Sequence, residues 1–491
     1  MSWRKREAPG PFSEHPAENA DQFTHLFSQS SDLKNRPFTF GKTSGVLVYI
    51  ETLVDATRVE EHILRPLSVH SYKEPSDALT VLEFTEAQNH DKAAQALLQG
   101  KVLVFFEGDR TCRVCGSEKV ALRAITEPMN EKVVRGAHDG FVENLSTNIY
   151  LLRRRVETKE LVIEYTIEGK KSNTKMAIAY QKDIADPELV KEMKRRISCI
   201  DLDMAFSPGY VEEMVEDSSL SPFPQLLNTE RPDRAVANLL EGRILLFGDG
   251  SPTCLILPVT FFSFYQSPDD YNSRSIAGSF YRLLRLFAFM IAVALPALYI
   301  AVVSFHLEVV PGGLVLQMKG SIEELPYPPL LEALFMELTI ELIREAGIRL
   351  PTPIGQTIGI VGGLVIGDAV VSAGLVSNIT IIVVALTAVA SFVVPSSEMN
   401  TSLRLLRFPL MVATSIFGFY GLVFGFMILF IHLCKLESLG KPYFSPAAPL
   451  RVADLKDTLI RRSVWRQNTR PVDVSAQENV KENDSREWAD K

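Results

Sequence analysis

The 491-residue chain has little of what enzyme chemistry usually draws on: five cysteines, eight histidines and three tryptophans. Cys112 and Cys115 form a lone C-x2-C, while Cys199, Cys254 and Cys434 are scattered singly. A four-ligand zinc site needs a second such pair, or histidines at metal spacing, and neither occurs. The thiols read as reduced and unpaired. There is no H-E-x-x-H, no nucleophile elbow and no Gly-rich phosphate loop, so no catalytic, metal or cofactor residue is assigned and no enzyme is expected. A basic face interleaved with aromatics is also missing, which argues against nucleic acid as a partner. Nor does an apolar run follow Met1-Ser-Trp-Arg-Lys-Arg-Glu, so no cleaved signal peptide is expected.

What the chain does have is charge placed unevenly. The net charge is −8, and 22% of residues are charged, as in an ordinary soluble protein. Residues 1–285 carry most of that charge, whereas 286–434 contain long runs with almost none. Residues 1–37, polar and rich in Pro, Ser, Asn and Gln, read as a disordered lead. Order is expected from about Thr43, with Val46-Leu-Val-Tyr-Ile50 as a buried strand.

An internal repeat follows. Leu97-Leu-Gln-Gly-Lys-Val-Leu-Val-Phe105 matches Leu239-Leu-Glu-Gly-Arg-Ile-Leu-Leu-Phe247 at an offset of 142, and Thr111-Cys112 matches Thr253-Cys254. Each copy reads as helix end, Gly cap, strand, tight turn and returning strand. Val59-Glu-Glu recurs as Val211-Glu-Glu. The first half is therefore expected to be an α/β soluble domain of two related subdomains, 38–150 and 151–272. The Gly-Asp and Asp-Gly turns read as hairpin turns, because no helix N-terminus follows to hold a phosphate. Arg153–Arg155 read as a basic helix end that complements the dipole.

The second half, 273–434, reads as an all-α transmembrane helix bundle of about four spans, near 286–305, 356–376, 378–394 and 408–433. Pro296 should kink the first span. Residues 330–347 differ, because Glu332, Glu337, Glu341 and Glu345 recur at helical spacing against Leu and Met. That pattern fits an interfacial or re-entrant amphipathic helix. Arg274, Arg282 and Arg285 before the first span, and Lys435, Lys441, Arg451 and Lys456 after the last, place both termini in the cytoplasm. Arg404 and Arg407 conflict with an even span count. Either they pair with protein groups, or one middle segment enters without crossing. Residues 435–491 form a cytoplasmic tail, disordered from about 465.

Gly355, Gly359, Gly363 and Gly367 recur every four residues, a spacing that lets helix backbones approach closely in lipid. Opposite them lie Thr357, Val361 and Val365. Asp368, the lone acid of that span, is either a functional carboxylate facing protein or water, or a residue near the far interface of a packing helix.

Several stretches together resemble the A subunit of the GerA-type spore germinant receptors. They are Glu127-Pro, Val133-Val-Arg-Gly-Ala-His-Asp-Gly-Phe-Val-Glu-Asn144 with Asn148 and Arg153–Arg155, Thr229-Glu-Arg-Pro-Asp233, Pro311-Gly-Gly, Pro326-Tyr-Pro-Pro-Leu-Leu-Glu332, Glu337 to Arg349, and Pro353-Ile-Gly-Gln-Thr-Ile-Gly-Ile-Val-Gly-Gly363. One departure is Ala137, where the pattern has proline. The resemblance implies a multi-pass protein of the spore inner membrane that works with a permease-like B subunit and a lipoprotein C subunit. It also implies a homo-oligomeric ring forming a nutrient-gated channel for monovalent cations. On that reading Thr357, Val361, Val365 and Asp368 line the pore, and the four glycines pack its helices. A non-conducting scaffold, or an A-like paralogue that amplifies the germination response, is the alternative.

Overall fold

The computed structural model describes residues 12–481 except 42, 69–78, 80–83, 120–126, 205–207, 324, 352–353, 356–362 and 364–366. The chain divides into two units, one of 1–216, 226–258 and 468–491, the other of 217–225 and 259–467. In the first unit, α1 (Pro16–Leu26), β1 (Leu33–Phe40), β2 (Thr43–Ile50), α2 (56–68, its middle wound as a π turn), β3 (Phe84–Ala87), α3 (His90–Leu98), β4 (Val102–Phe106) and β5 (Cys112–Cys115) form one set. A second set follows: α4 (Leu145–Arg155), β6 (Leu161–Glu168), β7 (Thr174–Gln181), α5 (Pro187–Ser198), α6 (Pro208–Val215), β8 (Leu227–Thr229), α7 (Pro232–Leu240), β9 (Ile244–Gly248) and β10 (Cys254–Leu257). Each set makes a five-stranded antiparallel sheet, in the orders β1-β2-β4-β5-β3 and β6-β7-β9-β10-β8. The two orders are the same, so the duplication read from one hairpin extends over the whole α/β fold.

The helix-to-hairpin turns explain why the repeat shows most clearly there. Gly100 and Gly242 sit at φ +84° and +101°, a region that costs an L side chain dearly but glycine almost nothing. A Cβ on Gly100 would also lie 2.8 Å from the Leu53 carbonyl oxygen. Beyond them β4 and β9 are almost wholly buried apolar runs (Val102-Leu-Val-Phe-Phe106 and Ile244-Leu-Leu-Phe247) that sit mid-sheet.

The lead differs from expectation. Within 1–37 the chain forms α1 and the start of β1, with Phe12, Phe23 and Phe27 buried. The reason is a second, weaker repeat. Phe12-Ser13-Glu14 corresponds to Phe141-Val142-Glu143, and Asn19 to Asn148, at an offset of 129. Each buried asparagine clamps the backbone six residues earlier: Asn19 accepts from Ser13 N (2.9 Å) and donates to its carbonyl (2.8 Å). Asn148 does the same to Val142, at 2.8 and 2.6 Å. Gly108 N then donates to Glu14 O, and Gly250 N to Glu143 O, both at 2.8 Å. The second subdomain therefore begins before residue 151, since α4 starts at Leu145. Asn148→Ala should cost about 2–3 kcal/mol, because it strands a buried amide and carbonyl. Asn148→Asp, which keeps the acceptor, should lose about half of that; urea midpoints of the full-length variants measure both.

Residues 468–481, read as part of a disordered tail, pack on the first unit. Arg470 Nε donates to Leu240 O (2.9 Å), Gln477 N to Ile184 O (2.8 Å), and Val474 is fully buried. Val474 and Ala476 are the apolar side chains that the fold takes in, while Val472 and Val480 stay exposed.

The second unit is helical: α8 (Pro268–Asn272), α9 (Ser275–Phe305), α10 (Gly312–Glu323), α11 (Pro329–Arg349), α12 (Asn378–Phe392), α13 (Ser397–Phe417) and α14 (Phe419–Lys435). Helix α9 contains Pro296 and packs on α12 and α13. Among the described residues it is the one helix long and apolar enough to cross a membrane; α12 and α14 are shorter apolar helices. The stretch expected as one span over 408–433 is divided at Gly418, whose φ of +59° and ψ of −139° end α13 and start α14. Residues 356–362 and 364–366 of the span expected over 356–376 lie outside the described residues. Residues 217–225, an excursion from the first unit's sequence, belong here. Phe223 is buried and stacks on His432, and Ser221 Oγ lies 2.8 Å from His432 Nε2. The chain consequently passes between the units four times.

Candidate functional site

Of the eight residues singled out from the sequence, four (Thr357, Val361, Val365 and Gly359) lie outside the described residues. Gly355 is buried, and a Cβ there would meet the Gly347 carbonyl oxygen at 2.8 Å, so one glycine of the ladder does serve a close backbone approach. Gly363 and Gly367 have open space where a Cβ would be, and Asp368 is exposed.

The polar chemistry of the helical unit gathers elsewhere, on α11. Residues 330–347 do form a helix, but its orientation reverses the expectation of an interfacial amphipath. Glu332 and Glu337 are 1% and 0% exposed, while Leu331, Phe335, Leu338 and Leu342 are 48–64% exposed. Leucine and phenylalanine point out, Glu332 and Glu337 point in, and Glu345 at the far end faces out, paired with Arg349. The inward face then meets partners in register. The Arg407 guanidinium, 1% exposed on α13, donates to Glu337, and Arg404 one turn earlier donates to Glu341. Arg344 Nη2 donates to Ser391 Oγ on α12 (3.3 Å), with its guanidinium 4.4 Å from the Phe392 ring centroid. Nearer the start of α11, Glu332 Oε2 accepts from Ser377 N (3.1 Å) and Thr380 Oγ1 (3.0 Å), and that hydroxyl lies 2.9 Å from the Tyr299 hydroxyl of α9.

A track of ionisable groups thus runs from Glu332 to Arg344, twelve residues or roughly 18 Å of helix. Burying a charge costs several kcal/mol unless it is paired, and pairing one well fixes helix register. The arginines that fitted no span count, Arg404 and Arg407, are accounted for by pairing with protein groups. The pattern was visible in principle. Glu337 and Glu341 are spaced i, i+4 and Arg404 and Arg407 i, i+3, so two antiparallel helix faces present matching charges.

In the sheet-bearing unit the motif residues hold a loop in place. Arg231, fully buried, donates to the carbonyls of Glu131 (3.1 Å) and Ala137 (2.8 Å) and to Asp233 (2.7 Å). Glu131 receives Thr229 and Arg234, both at 2.5 Å, and Glu230 receives the amide of Met129 at 2.8 Å. Of the basic run that ends α4, Arg153 does not face solvent. It makes a bidentate pair with Asp32, both contacts 2.7 Å, with both side chains 1% exposed or less. Arg155 pairs with Asp139 at 2.5 and 2.6 Å. Cys112 and Cys115 are buried in β5, and burial pushes both thiols up, Cys115 to about 12, which disfavours the thiolate that metal binding or attack would need.

Comparison with known proteins bears on the whole chain. A family model described as Bacillus/Clostridium GerA spore germination protein matches residues 21–473. The uncharacterized membrane protein YfkQ of Bacillus subtilis (strain 168) is 39% identical over 470 residues, 94% of this chain and 91% of its own length. Spore germination protein KA of the same organism is 37% identical over 490 residues, 98% of this chain and 90% of its own. Spore germination protein B1, also from that organism, is 38% identical over 473 residues, covering 94% and 98%. Among solved structures, the N-terminal domain of the A subunit of the Bacillus megaterium spore germinant receptor GerK3 aligns with 52% of this chain and 99% of its own. It is 28% identical, with a TM-score of 0.41.

Proposed function

The chain belongs to the GerA family of spore germination proteins, and from that premise we propose that it is an A-type receptor subunit whose helical unit sits in the spore inner membrane and conducts ions when the receptor is triggered. The observation that carries this reading is the inversion of α11, with apolar side chains outward and the Glu332, Glu337, Glu341 and Arg344 track inward. Lipid accepts the former and rejects the latter. Helix α9, with 31 residues, exceeds the roughly 20 that a bilayer core requires.

In this reading several copies form a ring, partnered by a permease-like B subunit and a lipoprotein C subunit, with monovalent cations as the permeant species. Both termini lie in the cytoplasm. Residues 355–372 line the path, Val361 and Val365 close it as an apolar constriction, and the glycines pack neighbouring helices. Four chain passages between the two units give a change in the sheet-bearing unit four covalent routes to the helices.

The test is ion flux from potassium-loaded liposomes holding the full-length protein, with and without the partner subunits. Val361→Ala and Val365→Ala should raise leak severalfold over the parent protein. Inserted, folded protein that gives no flux above empty liposomes in any combination would leave the non-conducting scaffold as the surviving reading.

A further inference from the structure

The inward track contains an imbalance that its own pairs do not resolve. Nineteen buried side-chain nitrogen and oxygen atoms among the described residues make no hydrogen bond, and eight of them belong to seven residues of α11 and α13. Native proteins keep such atoms few, and a cluster of them demands a cause. On the cationic side these are Arg344 Nε, Arg404 Nε, and both Nε and Nη2 of Arg407. Arg407 is 1% exposed, so its idle donors cannot turn to bulk water.

Charge points the same way. Arg344, Arg404 and Arg407 share Glu337 and Glu341, leaving one positive charge over. Glu332 does not cancel it, because it lies five residues, roughly 7.5 Å, further along α11 and gives its contacts to Ser377 and Thr380. The carboxylate oxygens Glu337 Oε1 and Glu341 Oε1 make no hydrogen bond either, so the pairs are one-armed where a guanidinium and a carboxylate could form two contacts. Three planar forks with spare N–H groups and one net charge suit a small oxyanion better than a halide, because an oxyanion accepts from several forks at once. The site is not sealed. Arg404 and Glu341 are 20% and 21% exposed, which gives an approach from the surface to the buried Arg407.

We propose that Arg344, Arg404 and Arg407 form a binding site for an oxyanion of the phosphate class between α11 and α13. The anion accepts from the spare guanidinium donors, balances the excess charge and ties the two helices together. Its source is either free inorganic phosphate or a lipid headgroup. The proposal does not require conduction, because it concerns binding by the folded chain in detergent.

The experiment uses full-length protein in a phosphorus-free maltoside detergent, with thermal unfolding followed at constant ionic strength. Sodium phosphate is titrated against sodium gluconate, and phosphatidylglycerol against diacylglycerol in a parallel arm, after total phosphorus has been counted. A saturable rise in Tm is expected with phosphate, or with phosphatidylglycerol alone if the headgroup is the natural occupant. Arg404→Gln, which leaves the Arg407–Glu337 pair intact, should weaken the apparent affinity about tenfold or more. Glu341→Gln frees another guanidinium donor and should tighten it. Two opposite shifts from two neighbouring neutralisations are not what general destabilisation produces. A flat response in both arms, a response matched by gluconate or diacylglycerol, or the same affinity in all three proteins overturns the site.

Discussion

Replacing Arg153 by methionine is expected to destabilise the sheet-bearing unit by about 3–5 kcal/mol at neutral pH, and by progressively less as pH falls toward and through the depressed Asp32 value. Asp32 and Arg153 are both essentially inaccessible, and the pair is bidentate at 2.7 Å, with Ser30 Oγ donating to the same carboxylate at 2.7 Å. Burial by itself would raise the Asp32 carboxyl. The Arg153 charge, its hydrogen bonds and that of Ser30 together outweigh burial and hold the group below the ordinary carboxylate range. A depressed folded pKa adds stability that is present above the unfolded value, about 3.9, and is lost as pH falls through the folded value. Removing Arg153 leaves burial as the governing influence, so the sign reverses. The carboxyl then titrates above about 3.9 in the folded state, and the penalty grows as pH rises. Amide exchange of β1 and β6 in the full-length protein, compared at matched pH between 3 and 8, reads the difference. Asp32→Asn combined with Arg153→Met should recover part of the loss at neutral pH. A destabilisation independent of pH would show that packing, not the charge pair, carries the effect.

That pair also shows what a sequence hides. Arg153 stands in a basic run at a helix end, where a dipole argument is sufficient, and only its distant partner Asp32 makes it a buried tie from α4 to the residue that precedes β1. The same limit applied to the lead. The duplication was legible at 97–105 and 239–247 because a left-handed glycine and a buried strand constrain almost every position there. The Phe12, Glu14 and Asn19 equivalents of Phe141, Glu143 and Asn148 were not legible. Three fixed side chains among polar ones look like disorder, and their offset of 129 differs from 142 because thirteen more residues separate the asparagine from the hairpin in the second copy. In the helical unit, periodicity located a helix at Glu332 to Glu345 but could not give its facing. A polar stripe reads alike whether it meets water or a neighbour's arginines. The glycine ladder was the more conspicuous pattern, yet among its described members only Gly355 meets another backbone within the chain.

Along α11, the two ion pairs should separate sharply when broken. Arg407→Gln or Glu337→Gln leaves a buried charge without its partner, which costs about 3–5 kcal/mol and should show as poor accumulation and a large fall in Tm in detergent. Arg404→Gln breaks a pair whose side chains are about one-fifth exposed, and solvent screening limits the loss to about 1 kcal/mol. The double variant Glu337→Leu with Arg407→Met removes both charges and supplies packing, so it should regain most of the stability that either single change forfeits. That double variant separates two roles. If the pair only fixes helix register, the double variant should support germination and ion release as the parent does. If the buried charges form part of the conducting or gating machinery, it should be stable, inserted and inactive. Equal damage from Arg404→Gln and Arg407→Gln would contradict the graded burial of the track, and with it the inward orientation of α11 on which the conducting reading depends.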